Sequence, residues 1–195
     1  MLASGLKIDP QKLDALQAYY LLLARWTRRM NLTSLPLDVP TEPTLDRLFI
    51  EPLLAADRLL GDNAVWIDAG SGGGSPAIPM KVLRPASRLA MVESRSRKTA
   101  FLREVVRQLA LVGVRVIESR FEALEEQEDL LGAVDVITVR ALRMDERIFS
   151  TSAHLLRQGG RLILFGTAES AGPQFKSPEL VVLGPMSSVL VFRRI

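Results

Sequence analysis

Residues 65–75 run Val65-Trp66-Ile67-Asp68-Ala69-Gly70-Ser71-Gly72-Gly73-Gly74-Ser75, an apolar stretch that passes directly into four glycines within five positions. The pattern predicts a buried strand, a tight turn and then a helix. Positions without side chains let a ligand approach the backbone, and open parallel sheets bind ligands in the crevice beyond the carboxyl ends of their strands. A loop that needs no ligand rarely stands at such a point. A nucleotide-like cofactor is therefore expected at Gly70, Ser71, Gly72, Gly74 and Ser75.

Working downstream, β-rich runs alternate with helical stretches: AVWIDA (64–69), RLAMVE (88–93), VRVIES (114–119), AVDVITV (133–139) and GRLILF (160–165). Helices are expected between successive runs, which implies a mostly parallel sheet covered on both faces. After Gly172 and Pro173 come ELVVL (179–183) and SSVLVF (187–192), separated by Gly184-Pro185-Met186, a predicted antiparallel hairpin. Five parallel strands closed by a hairpin is the shape of methyltransferase sheets, whereas dinucleotide dehydrogenases usually continue with parallel units; this is an analogy at the level of fold. Upstream, Asp9 and Pro10 read as N-cap and first helical residue. Leu13, Leu16, Tyr20, Leu23, Trp26 and Met30 then recur at helical spacing. A Pro-containing break at 35–43 precedes a second helical stretch, 45–60, that ends at Gly61. Residues 1–62 are thus expected to form an N-terminal helical cap on the compact unit whose cofactor-binding domain is 63–195.

The chain has 195 residues with an apolar fraction of 48%, enough for one substantial core. No apolar run approaches the ~18 residues of a membrane span, and the N-terminus lacks the apolar core of a signal peptide, so a cytoplasmic protein is expected. Cysteine is absent, which excludes disulfides, thiolate metal sites and Cys nucleophiles. No metal is called for. Net charge is +3 and the pI near 9.6, with Arg25, Arg28 and Arg29 in one cluster and Arg84, Arg88, Arg95, Arg97, Lys98, Arg103 and Arg107 in another. Such clusters suit a polyanionic partner, or equally solvated helix faces with acidic neighbours.

Glycine turns after a strand also bind NAD. Three details lean towards S-adenosylmethionine: Asp68 lies just before the first glycine, the spacing is GxGxG and not GxGxxG, and Pro76 and Pro79 disturb the helix start that a pyrophosphate would need. Glu93 ends the second strand, where an acid accepts hydrogen bonds from ribose hydroxyls. Phe121 and Glu122, after the third strand, suit an adenine base, although Phe121 serves equally as a core plug. Arg140 falls just past the fourth strand, at the glycine rim, and can hold a carboxylate or phosphate through paired hydrogen bonds. His154, the one histidine, has no partner apparent in the sequence and is read as structural.

These residues resemble the ribosomal RNA small subunit methyltransferase G family, also called glucose-inhibited division protein B. Trp26 and Asn31-Leu32-Thr33 match its W…NLT signature, DAGSGGGSPAIPMKV its DxGSGxGxPGIPL segment, ESRSRKTAFL its ESxxKKxxFL, and ITVRAL its SRA motif. The resemblance implies a Rossmann-like class I fold and methyl transfer from S-adenosylmethionine to N7 of a guanine in 16S ribosomal RNA. The RNA would be free or part of a small-subunit precursor. It also implies cofactor contacts at Gly70, Ser75, Phe121, Glu122 and Arg140, with the glycine turn, Asp68 and Glu93 completing the pocket. Departures fall on the substrate side: Leu48-Phe49-Ile50-Glu51-Pro52-Leu53 stands for the family's His-Ile-Leu-Asp-Ser-Leu, Thr27 for Asn, Ala77 for Gly, and Phe165-Gly166 for Lys-Gly. Asn31 and Glu51 remain substrate-site candidates, with Arg140 in a positioning role. A small-molecule methyltransferase, a non-catalytic binding relative and an NAD enzyme are the competing expectations, and a monomer is expected.

Overall fold

The computed structural model describes residues 6–167, 172–184 and 187–195. Its centre is a seven-stranded sheet of β1 (Val65–Ala69), β2 (Arg88–Glu93), β3 (Val114–Glu118), β4 (Val134–Arg140), β5 (Leu156–Phe165), β6 (Glu179–Gly184) and β7 (Ser187–Arg193). The order is β3-β2-β1-β4-β5-β7-β6. β1 to β5 are parallel, and β7 pairs antiparallel with both β5 and β6. The expected hairpin is present, while Pro185 and Met186 of its turn lie outside the described residues. The order reverses direction between β1 and β4, so the loops after these two strands diverge and leave a crevice. That crevice is where the glycines fall.

Alternation along the strands builds two cores. Trp66, Met91, Val136, Ile163 and Val191 face one apolar cluster, whereas Ile67, Val92, Ile137, Leu162, Leu164 and Phe192 face the other. Period-two side chains on strands buried from both sides give just this division. The first cluster is closed by α1 (Pro10–Thr27), α3 (Glu51–Leu59), α4 (Ala77–Leu83) and α5 (Ser96–Gln108), the second by α6 (Glu146–Leu155) and 3-10 turns. Leu16, Tyr19, Leu22 and Leu23 of the cap join the same cluster as Trp66 and Met80.

The cap helix starts as expected, with the Asp9 carboxylate accepting from the Lys12 N–H at 2.9 Å and Pro10 in the first turn. Its buried stripe is shifted: Leu13 is 59% exposed and Tyr19 fully buried. It also ends at Thr27, so Met30 lies in the following loop. The second helical stretch is a run of three pieces: α2 (Glu42–Leu45), a π-helical turn (Asp46–Ile50) and α3. Between β3 and β4 there is no α-helix but two 3-10 turns, Phe121–Glu126 and Glu128–Leu130. Ser187 of β7 donates to the Asp46 carboxylate at 2.8 Å, fastening the sheet's far side to this stretch.

Candidate active site

The glycine turn is held from three directions. The N–H groups of Gly70 and Ser71 both donate to Val92 O at 2.9 Å, tying the turn to the end of β2. Gly72 N–H donates to Glu93 Oε2 at 3.0 Å, and Arg95 N–H to Glu93 Oε1 at 2.9 Å. From the cap, the Tyr19 hydroxyl donates to Gly73 O at 2.7 Å. Gly74 has φ +91°, and a Cβ there would meet Ile78 Cγ1 at 2.9 Å, so glycine is required. At Gly73 a Cβ would meet Leu32 O at 2.9 Å, because the loop after α1 lies against the turn.

Glu93 is buried, with no ion pair to Arg95 or Arg97. Each of its oxygens takes one backbone N–H, and an ionised carboxylate has about four acceptor sites, so capacity remains for a ligand's hydroxyls. Asp68 lies beneath the turn, 1% exposed and not in the cavity wall. Its Oδ1 accepts from Thr138 Oγ1 at 2.6 Å, while Oδ2 has no partner among the described residues. Burial pushes its carboxyl up to about 6, against the opposing pull of the Thr138 and Ser71 hydroxyls.

Arg140, at the carboxyl end of β4, is the most constrained cation of the site. It donates to Arg47 O at 2.6 Å, to Ser75 Oγ at 3.0 Å and to the Glu51 carboxylate, and its Cζ lies 4.4 Å from the Phe165 ring centroid. The two members of the ion pair are 10% and 14% exposed. Burial lowers the Arg140 guanidinium to about 10, with Glu51 opposing, and raises the Glu51 carboxyl, with Arg140 opposing. Each thus favours the charged form of the other, and Arg140 Nε is buried without a partner among the described residues.

These groups surround a cavity of about 760 Å³ between the glycine turn, the cap and the loops after β2, β3 and β4. A volume of this size accommodates a cofactor with part of a substrate. Of the residues singled out from the sequence, Gly70, Ser71, Gly72, Ser75, Glu93, Phe121, Glu122, Arg140 and Asn31 line it. Gly74, Asp68 and Glu51 do not; they stand behind the wall, Glu51 as the partner of Arg140. Arg95 and Lys98 of the second basic cluster line it too, and sequence reasoning missed Tyr19, Arg47 and Arg120, which complete the wall. His154 has a partner after all, Glu125 Oε1 at 3.2 Å from Nδ1, and neither residue lines this cavity. Among the described residues no cluster of His, Cys, Asp or Glu could hold a metal, and no helix is long and apolar enough to cross a membrane.

The sequence model for the rRNA small subunit methyltransferase G family matches residues 12–176. The protein named ribosomal RNA small subunit methyltransferase G in Xanthomonas euvesicatoria is 39% identical over 163 residues, covering 80% of this chain and 72% of that one. The protein of the same name in Stenotrophomonas maltophilia is 37% identical over 162 residues, covering 82% and 71%. Among solved structures, a putative S-adenosyl-L-methionine-dependent methyltransferase from Methanococcus maripaludis superposes with a TM-score of 0.60 at 14% identity, covering 78% of this chain and 89% of that one. A variant of MtNAS in complex with S-adenosylmethionine gives 0.60 at 18% identity, covering 94% and 76%. At such identities these two likenesses speak to the fold alone.

Proposed function

Since the chain belongs to the rRNA small subunit methyltransferase G family, we propose that it methylates N7 of a guanine in 16S ribosomal RNA. It is a methyltransferase, and its cofactor is S-adenosylmethionine. The residues present fit that group. A Cβ position on Gly72 has neighbours no nearer than 3.7 Å, Glu93 keeps free acceptor sites, and the buried Arg140 offers an unmatched N–H. Glu93 would accept from the ribose hydroxyls, Phe121 and Glu122 would flank the adenine, and Arg140 with Ser75 would hold the amino-acid carboxylate. Asp68 would favour the ammonium from beneath the turn. The bound sulfonium supplies an electrophilic methyl group and leaves as a neutral thioether.

The observation that carries the substrate reading is the charge of the wall. Arg47, Arg95, Lys98 and Arg120, without an ion pair among the described residues, line the cavity together with the Glu51-paired Arg140, against two carboxylates, Glu93 and Glu122. A cavity of that balance favours a polyanion at its mouth. Guanine N7 is an unprotonated acceptor on the base edge, so it attacks without prior loss of a proton and the protein needs no general base. The work left to the side chains is alignment and exclusion of water. Arg47 and Lys98 would fix phosphates, and Asn31, exposed at the cap side of the cavity, would donate its amide to the guanine edge.

Incubation of the purified protein with methyl-labelled S-adenosylmethionine and deproteinised small-subunit RNA should yield labelled 7-methylguanosine. Label recovered in any other nucleoside, or transfer indifferent to RNA, would overturn the assignment. A protein with this substrate works in the cytoplasm, where ribosomes are assembled. It is expected to sediment as a monomer.

A further inference from the structure

We propose that a second cavity, of about 300 Å³ and lined by Arg25, Trp26, Arg29, Met30, Arg97 and Ala100, is a subsite for a nucleotide flanking the target guanine. Its base would rest on the Trp26 indole and its phosphate on the three guanidinium groups. The subsite rests on the RNA reading given above.

Charge is the first argument. In the two basic stretches Arg84, Arg103 and Arg107 each have a carboxylate within 3.4 Å and Arg28 one at 3.7 Å, whereas Arg25, Arg29, Arg88, Arg95 and Arg97 have none among the described residues. Arg25, Arg29 and Arg97 make no ion pair among the described residues, yet they border one cavity. Three like charges around a concavity repel one another, and a bound phosphate removes that repulsion.

The second argument is the aromatic floor. Trp26 is half-buried at the end of α1 and anchored on Phe101 of α5, ring centroids 5.7 Å apart, so the indole is held in place before anything arrives. Trp66, the other tryptophan, is fully buried and donates to Ser87 Oγ at 3.1 Å. A fixed aromatic ring among unpaired arginines is how proteins bind single-stranded nucleic acid without reading its sequence. An acidic peptide would use the arginines but leave Trp26 without a role.

Continuity is the third. Met30 and Arg97 of this cavity immediately precede Asn31 and Lys98 of the main one. The two cavities are thus lined by consecutive residues on two separate segments, the loop after α1 and the first turn of α5. A strand that inserts one base beside the cofactor would bring a neighbouring nucleotide towards this second cavity.

The test uses oligouridylate, which offers no guanine to the main cavity, and reads Trp26 fluorescence. Saturable quenching should occur in the wild type and vanish in Trp26→Phe, which keeps an aromatic on Phe101. By anisotropy of labelled oligouridylate, Trp26→Ala should weaken binding by about tenfold. The pair Arg29→Gln and Arg97→Gln, both exposed, should flatten the dependence of log affinity on log salt by roughly 0.7 per charge removed. S-adenosylhomocysteine binding in all variants serves as the check on folding. Quenching that persists in Trp26→Phe, or unchanged affinity and salt slope in the arginine variants, overturns the subsite. Methylation of small-subunit RNA by the wild type, run in parallel, bears on the methyl-transfer reading alone, so the two fail separately.

Discussion

Arg140→Met should cost the protein about 3 kcal/mol of stability at neutral pH, and much of that cost should disappear when Glu51 is changed as well. The pair is nearly enclosed, at 10% and 14% side-chain exposure. Removing one member strands a charge, for which buried pairs typically lose about 3–5 kcal/mol. The residual exposure of Glu51 argues for the lower end. Glu51→Gln alone keeps an acceptor for Arg140, which also retains Arg47 O and Ser75 Oγ, so it should lose roughly 1.5–3 kcal/mol, the worth of a hydrogen bond between charged groups. The double variant strands no charge, although Arg47 O and Ser75 Oγ still lose their donor, and should fall well short of the sum. The sign with pH follows from Glu51. Burial already raises its carboxyl, and Arg140 is the main influence holding it down. Without Arg140 its folded-state value rises further above the unfolded one, which penalises the ionised form, so the deficit of Arg140→Met should shrink as pH falls from 7 towards 5. Urea denaturation of the four proteins at both pH values measures this. Additivity to within about 0.5 kcal/mol, or a deficit that ignores pH, would refute a coupled buried pair.

The buried Asp68, one of whose oxygens has no partner among the described residues, gives a second pH effect. Its carboxyl sits at about 6 in the fold against 3.8 outside it, so wild-type stability relative to Asp68→Asn should rise as pH falls through 6 towards 4, by at most about 1.4 kcal/mol per pH unit; chemical denaturation across that window tests it, and a flat difference would contradict it. Gly74→Ala should lower thermal stability by roughly 1–3 kcal/mol through its positive φ and the contact with Ile78. Gly72→Ala shares the positive-φ strain (φ +52°) but meets no close neighbour and faces the cavity, so beyond a modest loss in melting temperature it should weaken S-adenosylhomocysteine binding; calorimetry and a melt read the two together. Tyr19→Phe leaves Gly73 O without its donor and should cost about 1–3 kcal/mol, with a measurable loss of cofactor affinity because the turn loses its clamp.

What the sequence revealed and what it hid differ in range. The strands, the glycine turn, the Asp9 cap and the place of Glu93 were legible because each depends on residues within one element or one turn. The face of α1 was not. Residues 19–24 read YYLLLA, apolar all round, so periodicity had no polar side against which to choose Tyr19 over Tyr20. Pairings across the fold were hidden for another reason: Glu51 and Arg140 are 89 residues apart, and Arg84 finds Asp57 and Asp62 only once α3 and α4 pack together. The two arginine clusters could therefore be read equally as a phosphate surface or as solvated helix faces, whereas the fold pairs some of them with acids and leaves others open. The 3-10 turns in place of a helix after β3 follow the same lesson, because their Phe121 and Leu124 are buried in a core assembled from distant strands and α6.

The bond from the Tyr19 hydroxyl to the Gly73 carbonyl makes the two halves of the chain poor candidates for exchange. A chimera that took its first sixty residues from a relative would import a foreign lid together with its own fastening to the turn. Unless the incoming segment kept a phenol at that place and a loop backbone as close as Leu32, the transplant would disturb the donor pocket before it altered the choice of acceptor. Diversification of such a protein is thus expected to proceed at the rim, residue by residue, and not by shuffling of parts.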